Sequence, residues 1–317
     1  MQPAQKLNQL LKENISRVIV GKQDVIELIL NAILCGGHVL IEDVPGVGKT
    51  TLASAFAKSL ALSFKRIQFT PDVTPSDVTG YNFIDFKTDK MEYREGAVFA
   101  QMVLADEINR TSPKTQSSLL EVMEEGQVTL DGETHKLPAP FIVLATQNPV
   151  DFVGTYPLPE AQLDRFFMRV SIGYPTESEE TEVLNMYMTG EKPLNTLEPV
   201  CTREDILRLQ KMVGEVRVSK EMRAYITQIA QASRNYRAFS RGISTRGAIS
   251  LMHSAQAAAM LQGRDYVTPE DIKKMAGPVL AHRVVLSPEA RLGMKGATAD
   301  KVLARLISGI QVPVRLR

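Results

Sequence analysis

At 317 residues the chain has room for roughly two domains, each with an ample core, and its 44% hydrophobic and 23% charged residues match an ordinary globular protein. Its net charge of +1 is unevenly placed: residues 1–200 hold 17 Lys and Arg against 27 Asp and Glu, whereas residues 201–317 hold 20 against 9. The longest apolar stretch, Val25 to Cys35, is broken by Glu27 and Asn31, and the N-terminus lacks the apolar centre of a signal peptide, so neither a membrane span nor secretion is expected.

Two cysteines, Cys35 and Cys201, without metal-like spacing fit a reducing cytoplasm and read as core fillers rather than a disulfide. His38, His135, His253 and His282 are far apart in sequence and give no support to a protein metal site. The acidic first part and basic second part can attract each other between neighbouring subunits, or the basic surface can meet nucleic acid or another acidic partner.

In chain order, Leu7 to Val18 and Gln23 to Leu34 repeat apolar residues at helical spacing. Between them lies the turn Val18-Ile-Val-Gly21, where Val20 and Gly21 could contact a base or simply fill the core. Val39-Leu-Ile41 reads as a buried strand. A turn rich in Pro and Gly follows, Asp43-Val-Pro-Gly-Val-Gly-Lys-Thr-Thr51, and then a helix with Leu52, Ala53, Phe56, Ala57 and Leu60 on one face.

Strand, glycine loop, Lys-Thr and helix form the context of a phosphate-binding P-loop. Backbone N–H groups of Pro45-Gly-Val-Gly48 and of the helix start favour an anion, with Thr51 in the first turn (Pro45 supplies shape rather than a donor). Lys49 reaches the terminal phosphates of ATP and Thr50 ligates Mg²⁺. Asp43 stands where the first glycine of G-x-x-x-x-G-K-[ST] is expected; Gly46 and Gly48 retain the φ freedom that the turn needs.

Phe64 to Phe69 is expected to be a second strand, and Thr70 to Asp77 a loop that starts a short helix. Tyr81–Phe86 and Met91–Arg94 flank Lys87-Thr-Asp-Lys90, a hairpin that could touch a substrate, line a pore or only decorate the surface. Met102-Val-Leu-Ala-Asp-Glu107 has the form of a Walker B strand: four apolar residues, then two carboxylates. Asp106 is the candidate Mg²⁺ ligand and Glu107 the candidate base that polarises the attacking water.

Ser117 to Glu125 reads as a helix closed by Gly126. Asp131-Gly132 between Gln127–Leu130 and Glu133–Leu137 signals a second hairpin. Phe141–Ala145 is a strand ending in Thr146-Gln-Asn-Pro149, where Asn148 could hold the attacking water or a phosphate, or merely terminate the strand. Leu158 to Phe166 is expected to be a helix. Arg165 near its end could be a cation supplied to a neighbouring subunit's phosphate, or an ion-pair partner of Asp164 or Glu160. After a short strand, Met168–Ile172, the pattern turns helical to the end. Arg246 begins a helix capped by Ser244 or Thr245, an unfavourable place for a cation that invites a functional reason.

The set resembles the MoxR family of AAA+ ATPases. The resemblance spans about Val18 to Val314 and rests on Glu42-Asp-Val-Pro-Gly-Val-Gly-Lys-Thr50, Leu104-Ala-Asp-Glu-Ile-Asn-Arg110, Ala145-Thr-Gln-Asn-Pro149, Leu158–Phe166 and Gly263-Arg-Asp-Tyr-Val-Thr-Pro269. Asp43 is ordinary in that family. The resemblance implies an α/β fold: a parallel-sheet nucleotide domain with two inserted hairpins, here 1–188, and an all-helical lid, here 189–317. By position it makes Asn148 sensor 1, Arg165 a trans-acting arginine finger and Arg246 sensor 2, which would sense the γ-phosphate of its own subunit. It also implies a homo-oligomeric ring, usually a hexamer, that hydrolyses ATP with Mg²⁺. Such a chaperone-like remodeller would act with a von Willebrand A domain partner on a client protein complex. A nucleic-acid motor, a chelatase-type cofactor-insertion subunit and a nucleotide-dependent scaffold are the competing expectations. The hairpin tips (Lys87, Lys90; Asp131, Gly132) are not strongly basic, so nucleic acid is not expected.

Overall fold

Alternation along two central strands organises the molecule. In the computed structural model, which describes residues 2–87, 89–148, 154–188, 193–293, 296 and 298–313, the strands are β1 (Val39–Glu42), β2 (Phe64–Gln68), β3 (Gly80–Asp85), β4 (Lys90–Glu95), β5 (Met102–Asp106), β6 (Gln127–Leu130), β7 (Glu133–Lys136), β8 (Ile142–Gln147) and β9 (Met168–Val170). Five of them pair in parallel in the order β2-β5-β8-β1-β9. Met102 and Leu104 of β5 and Ile142 and Leu144 of β8 enter one apolar cluster. Their neighbours Val103, Ala105, Val143 and Ala145 enter another on the opposite face. Period-two side chains on a sheet covered from both sides explain why these runs are apolar throughout.

Helices α1 (Gln2–Ser16), α2 (Gln23–Leu34), α3 (Lys49–Ser59), α4 (Pro75–Thr79), α5 (Pro113–Glu125), α6 (Glu160–Leu163) and α7 (Glu177–Tyr187) belong to the first part of the chain. The second part holds α8 (Arg203–Val213), α9 (Lys220–Arg234), α10 (Thr245–Leu261), α11 (Pro269–Leu280), α12 (Pro288–Gly293) and α13 (Ala299–Ser308). It also holds a two-stranded pair, β10 (Phe239–Arg241) with β11 (Val285–Leu286). The larger cluster runs from Phe56 and Leu104 into Tyr225 and Val279, so the helical part shares a core with one face of the sheet. A reciprocal buried contact fixes the junction: Asn31 Nδ2 of α2 donates to the Ser254 carbonyl of α10 at 2.9 Å, and Ser254 Oγ donates back to Asn31 Oδ1 at 2.9 Å. Both groups are shut off from water, so losing either partner would leave the other unpaired.

The two hairpins lie together. Asp131 (φ 50°) and Gly132 (φ 85°) both take positive φ, the conformation that a two-residue turn needs to follow strand twist. Tyr93 of β4 stacks on His135 of β7 with ring centroids 3.8 Å apart, and Asn82 Nδ2 of β3 donates to Asp131 Oδ2 at 2.7 Å. Beyond that contact Phe86 (95% exposed) and Met91 (65% exposed) project into solvent.

Three expectations need correction. Leu158–Phe166 is not one helix: only α6, a single turn, forms there, and the chain around Arg165 is held by side chains of the helical part instead. The α5 helix starts four residues earlier than its apolar pattern shows, because Ser112 caps Thr115 N and Pro113 occupies the first turn. The second part, expected to be helical to the end, also contains the short antiparallel pair β10–β11. The expected boundary at 188/189 adjoins residues 189–192, which lie outside the described residues, as do Thr88, Pro149 and Val314.

Candidate nucleotide site

The site lies where β1, β5 and β8 end. Strand β1 runs into the P-loop, in which Gly46 (φ 86°) and Gly48 (φ 87°) are left-handed and Gly48 caps α3. A Cβ built at Gly46 meets nothing within 4 Å, so the space beside the loop is open there, as the backbone N–H groups of a phosphate-binding loop require. Lys49 Nζ folds back onto the Asp43 carbonyl at 2.9 Å.

Asp43 has a structural task. Its carboxylate, 7% exposed, accepts from Ile172 N, from Gly173 N at 3.2 Å and from Ser171 Oγ at 3.2 Å, while its own N–H donates to the Gln147 carbonyl at 3.3 Å. The residue therefore ties the P-loop to β8 and to the chain leaving β9. That chain walls a cavity of about 270 Å³, lined by Val18, Ile19, Val20, Gly46, Val47, Gly48, Thr51, Ile172, Gly173 and Tyr187 among others. Apolar walls beside a phosphate cradle suit a nucleobase. Val20 lines this cavity. Gly21 does not: it packs against Glu179, whose carboxylate would clash with any Cβ there.

Asp106 and Glu107 are set by neighbours on two strands. Register places Ala145 of β8 opposite Ala105 of β5, so Thr146 lies beside Asp106. The Thr146 hydroxyl donates to Asp106 Oδ1 at 2.6 Å and accepts from Glu107 N at 2.8 Å. On the other side β2 pairs Gln68 with Asp106. Arg66 donates to Asp106 Oδ2 from Nη2 at 2.6 Å and from Nε at 3.2 Å, and Gln68 Nε2 donates to Glu107 Oε2 at 3.0 Å. Glu107 itself is left-handed (φ 57°, ψ 48°), a conformation that costs a non-glycine residue about 1 kcal/mol or more and is imposed by its surroundings. It also pairs with Arg110 Nε at 3.3 Å. Asn148, buried at the end of β8, has its carbonyl held by Asn109 Nδ2 at 3.3 Å.

Arg165 and Arg246 are elsewhere. Arg165 Nη1 pairs with Glu124 Oε2 at 3.1 Å and donates to the Leu120 carbonyl at 2.9 Å; Arg246 Nη2 pairs with the other oxygen of Glu124. Both line a crevice with Gly37 and His38, which precede β1, whereas the P-loop follows β1. The partner of Arg165 is thus Glu124, not Asp164 or Glu160. Arg246 is at the opposite end of β1 from the P-loop of its own chain, so the placement of Arg246 over its own γ-phosphate is not what the fold presents.

A family profile described as "ATPase family associated with various cellular activities (AAA)" matches residues 38–168, and an AAA lid domain profile matches 231–305. The uncharacterised protein YeaC of Bacillus subtilis is 52% identical over 96% of this chain and 94% of its own length. Chaperone MoxR1 of Mycobacterium tuberculosis is 39% identical over 87% of this chain and 75% of its own. The chain belongs to the MoxR family of AAA+ ATPases. Its fold agrees with the crystal structure of a candidate ATPase from Cytophaga hutchinsonii, with a TM-score of 0.89 and 36% identity over 99% of this chain and 97% of that one.

In this MoxR-family chain, sequence reasoning passed over Thr146, Arg66 and Gln68. Arg66 and Gln68 are two apart on β2, hence on one face, and that spacing was visible. What was not visible is that β2 and β8 flank β5, which is a property of strand order. Among the described residues no cluster of three or more His, Cys, Asp or Glu suits a metal ion, and no helix is long and apolar enough to cross a membrane.

Proposed function

We propose that this MoxR-family chain binds and hydrolyses ATP at the subunit boundaries of a homo-oligomeric ring and uses the cycle to remodel a client protein complex. The observation that carries the reading is the shared contact of Arg165 and Arg246 with Glu124, away from the P-loop of their own chain. Two cations on one exposed crevice are suited to a phosphate that another subunit presents. Arg165 is the arginine finger, and Arg246 joins it on the same side rather than acting within its own site.

The residues at the P-loop fit a nucleotide and its metal. The space beside Gly46 is open, and Asp106 Oδ2 already accepts a cationic group, that of Arg66. Thr50 and Asp106 are the residues to hold Mg²⁺, which would supply neutralisation of phosphate charge. Lys49 neutralises the terminal phosphates once released from the Asp43 carbonyl. Glu107, oriented by Gln68, accepts a proton from the attacking water, and Asn148 helps to place that water. Arg165 from the next subunit stabilises charge on the transferred group, an effect worth about 10³-fold or more in related phosphoryl transfers.

The chaperone name of the M. tuberculosis relative supports a remodelling role, and a von Willebrand A domain protein is the proposed partner. Glu107→Gln tests the reading: it should keep ATP binding, lose turnover, and hold the ring with client and partner during co-purification. Wild-type turnover in Glu107→Gln, or full turnover by the monomer, would overturn it.

A further inference from the structure

Arg283 lies just past α11, 5% exposed, in the helical part of the chain. Its Nη2 donates to the Phe166 carbonyl at 2.7 Å, its Nε lies 3.5 Å from Asp164 Oδ1, and its Nη1 donates to Ser250 Oγ of α10 at 3.0 Å. The residue before it, His282, puts Nε2 3.1 Å from the same Phe166 carbonyl. The stem of Arg283 also packs under the first turn of α10: a Cβ at Gly247 would sit 3.3 Å from Arg283 Cδ. Ser244, which caps that turn, donates to both oxygens of Asp164, at 3.2 and 3.3 Å.

Arg165 is therefore bracketed. Asp164 on one side and Phe166 on the other are each held by Arg283 and by a second residue of the helical part. The Arg165 head shares Glu124 with Arg246, one residue before Gly247. Phe166 is fully buried in the sheet cluster that does not include the helical part, so Arg283 is a polar bolt between the two. A buried guanidinium needs its donors matched. Ser250 Oγ and His282 Nε2 take two of them within the helical part, and the Phe166 carbonyl and the Asp164 carboxylate, which flank Arg165, supply the rest.

We infer that Arg283 is a positioning residue through which the helical part of each subunit sets where its Arg165 is presented to the neighbouring nucleotide. The inference rests on the proposed trans role of Arg165. A shift of α10 and α11 is passed through Arg283 to the Asp164–Phe166 backbone. The finger a subunit offers then reports the state of its own helical part.

A subunit-mixing experiment tests this. Arg283→Met alone should bind a fluorescent ATP analogue about as well as the unaltered protein but turn over about tenfold or more slowly. Mixed with Glu107→Gln, whose own site is dead but whose finger is intact, it should regain turnover well above the sum of the two variants. Arg165→Ala mixed with Glu107→Gln runs alongside as the control. Recovery in both mixtures is the expected result. Recovery with Arg165→Ala but not with Arg283→Met overturns the positioning role and leaves the finger standing. Recovery in neither overturns both.

Asp164→Asn, which keeps the side-chain volume, serves in the same mixtures if Arg283→Met does not fold. Arg283→Lys, which can reach Asp164 but not all three partners at once, should fall between the unaltered protein and Arg283→Met; if it equals Arg283→Met while folding normally, charge at this position is not what places the finger.

Discussion

Arg66 sits on Asp106, with two guanidinium nitrogens within 3.2 Å of Oδ2. A cation held by the carboxylate proposed for Mg²⁺ must be met or displaced when the metal arrives. Arg66→Met should therefore lower the Mg²⁺ concentration that half-saturates metal-dependent ATP binding, by about fivefold for a half-exposed pair worth near 1 kcal/mol. A titration of nucleotide binding against Mg²⁺ reads this out. A rise in the half-point would instead make Arg66 part of the binding machinery.

Thr146 joins the two acidic residues through one hydroxyl. Thr146→Val keeps the shape but leaves Asp106 Oδ1 and Glu107 N without that partner. Loss of about 1–3 kcal/mol of stability is expected from the buried unmet groups. Turnover should fall by about tenfold or more while ATP affinity changes little, because the P-loop is untouched. Equal losses in affinity and turnover would point to a collapsed loop.

Asp43→Gly would restore the glycine of the general P-loop pattern, and it should still harm the protein. It removes the acceptor for Ile172 N, Gly173 N and Ser171 Oγ. A drop of about 2–3 kcal/mol in unfolding free energy is expected. Weaker nucleotide binding should accompany it as the Ile172–Gly173 wall of the base cavity loosens. Chemical denaturation and a binding titration check the two effects separately.

Acid should destabilise the fold through two buried histidines. Burial pushes His38 down to about 4, partly offset by its bond to the Met123 carbonyl, and pushes His282 down to about 3, aided by the charge of Arg283. Unfolded, each takes up a proton near the ordinary value of 6.5. Their contribution is complete above that value and is lost as pH falls below it, at about 1.4 kcal/mol per pH unit for each ring, until the folded pKa is reached. The His38 ring accepts from Val143 N at 3.0 Å and bonds the Met123 carbonyl at 2.9 Å, a pair of contacts that Gln can imitate. His38→Gln should flatten the decline of melting temperature between about pH 6.5 and 4.5. An unchanged slope would assign the acid sensitivity elsewhere.

Local signals carried most of the fold. The P-loop glycines, the Asp131-Gly132 turn and the apolar faces of α2 and α3 act over a few residues, and all formed as expected. The resemblance added the overall architecture and the short list of site residues. What escaped were contacts set by strand order and by packing of the helical part. Arg66 meets Asp106 across 40 residues and Arg283 meets Phe166 across 117, and no local periodicity encodes either. Arg246 shows the limit of position-by-motif: its place in the helix was right, but the side of the sheet it serves depends on how α10 docks.

The stacked rings of Tyr93 and His135 have a mechanical meaning. Two hairpins that are separate in the sequence cannot swing separately while that stack and the Asn82–Asp131 bond hold. One hairpin is rooted through α4, which packs on α5; the other leaves α5 and returns into β8, the strand that carries Thr146 and leads into Asn148. Phe86 and Met91 are thus carried on two joined hairpins rather than on one.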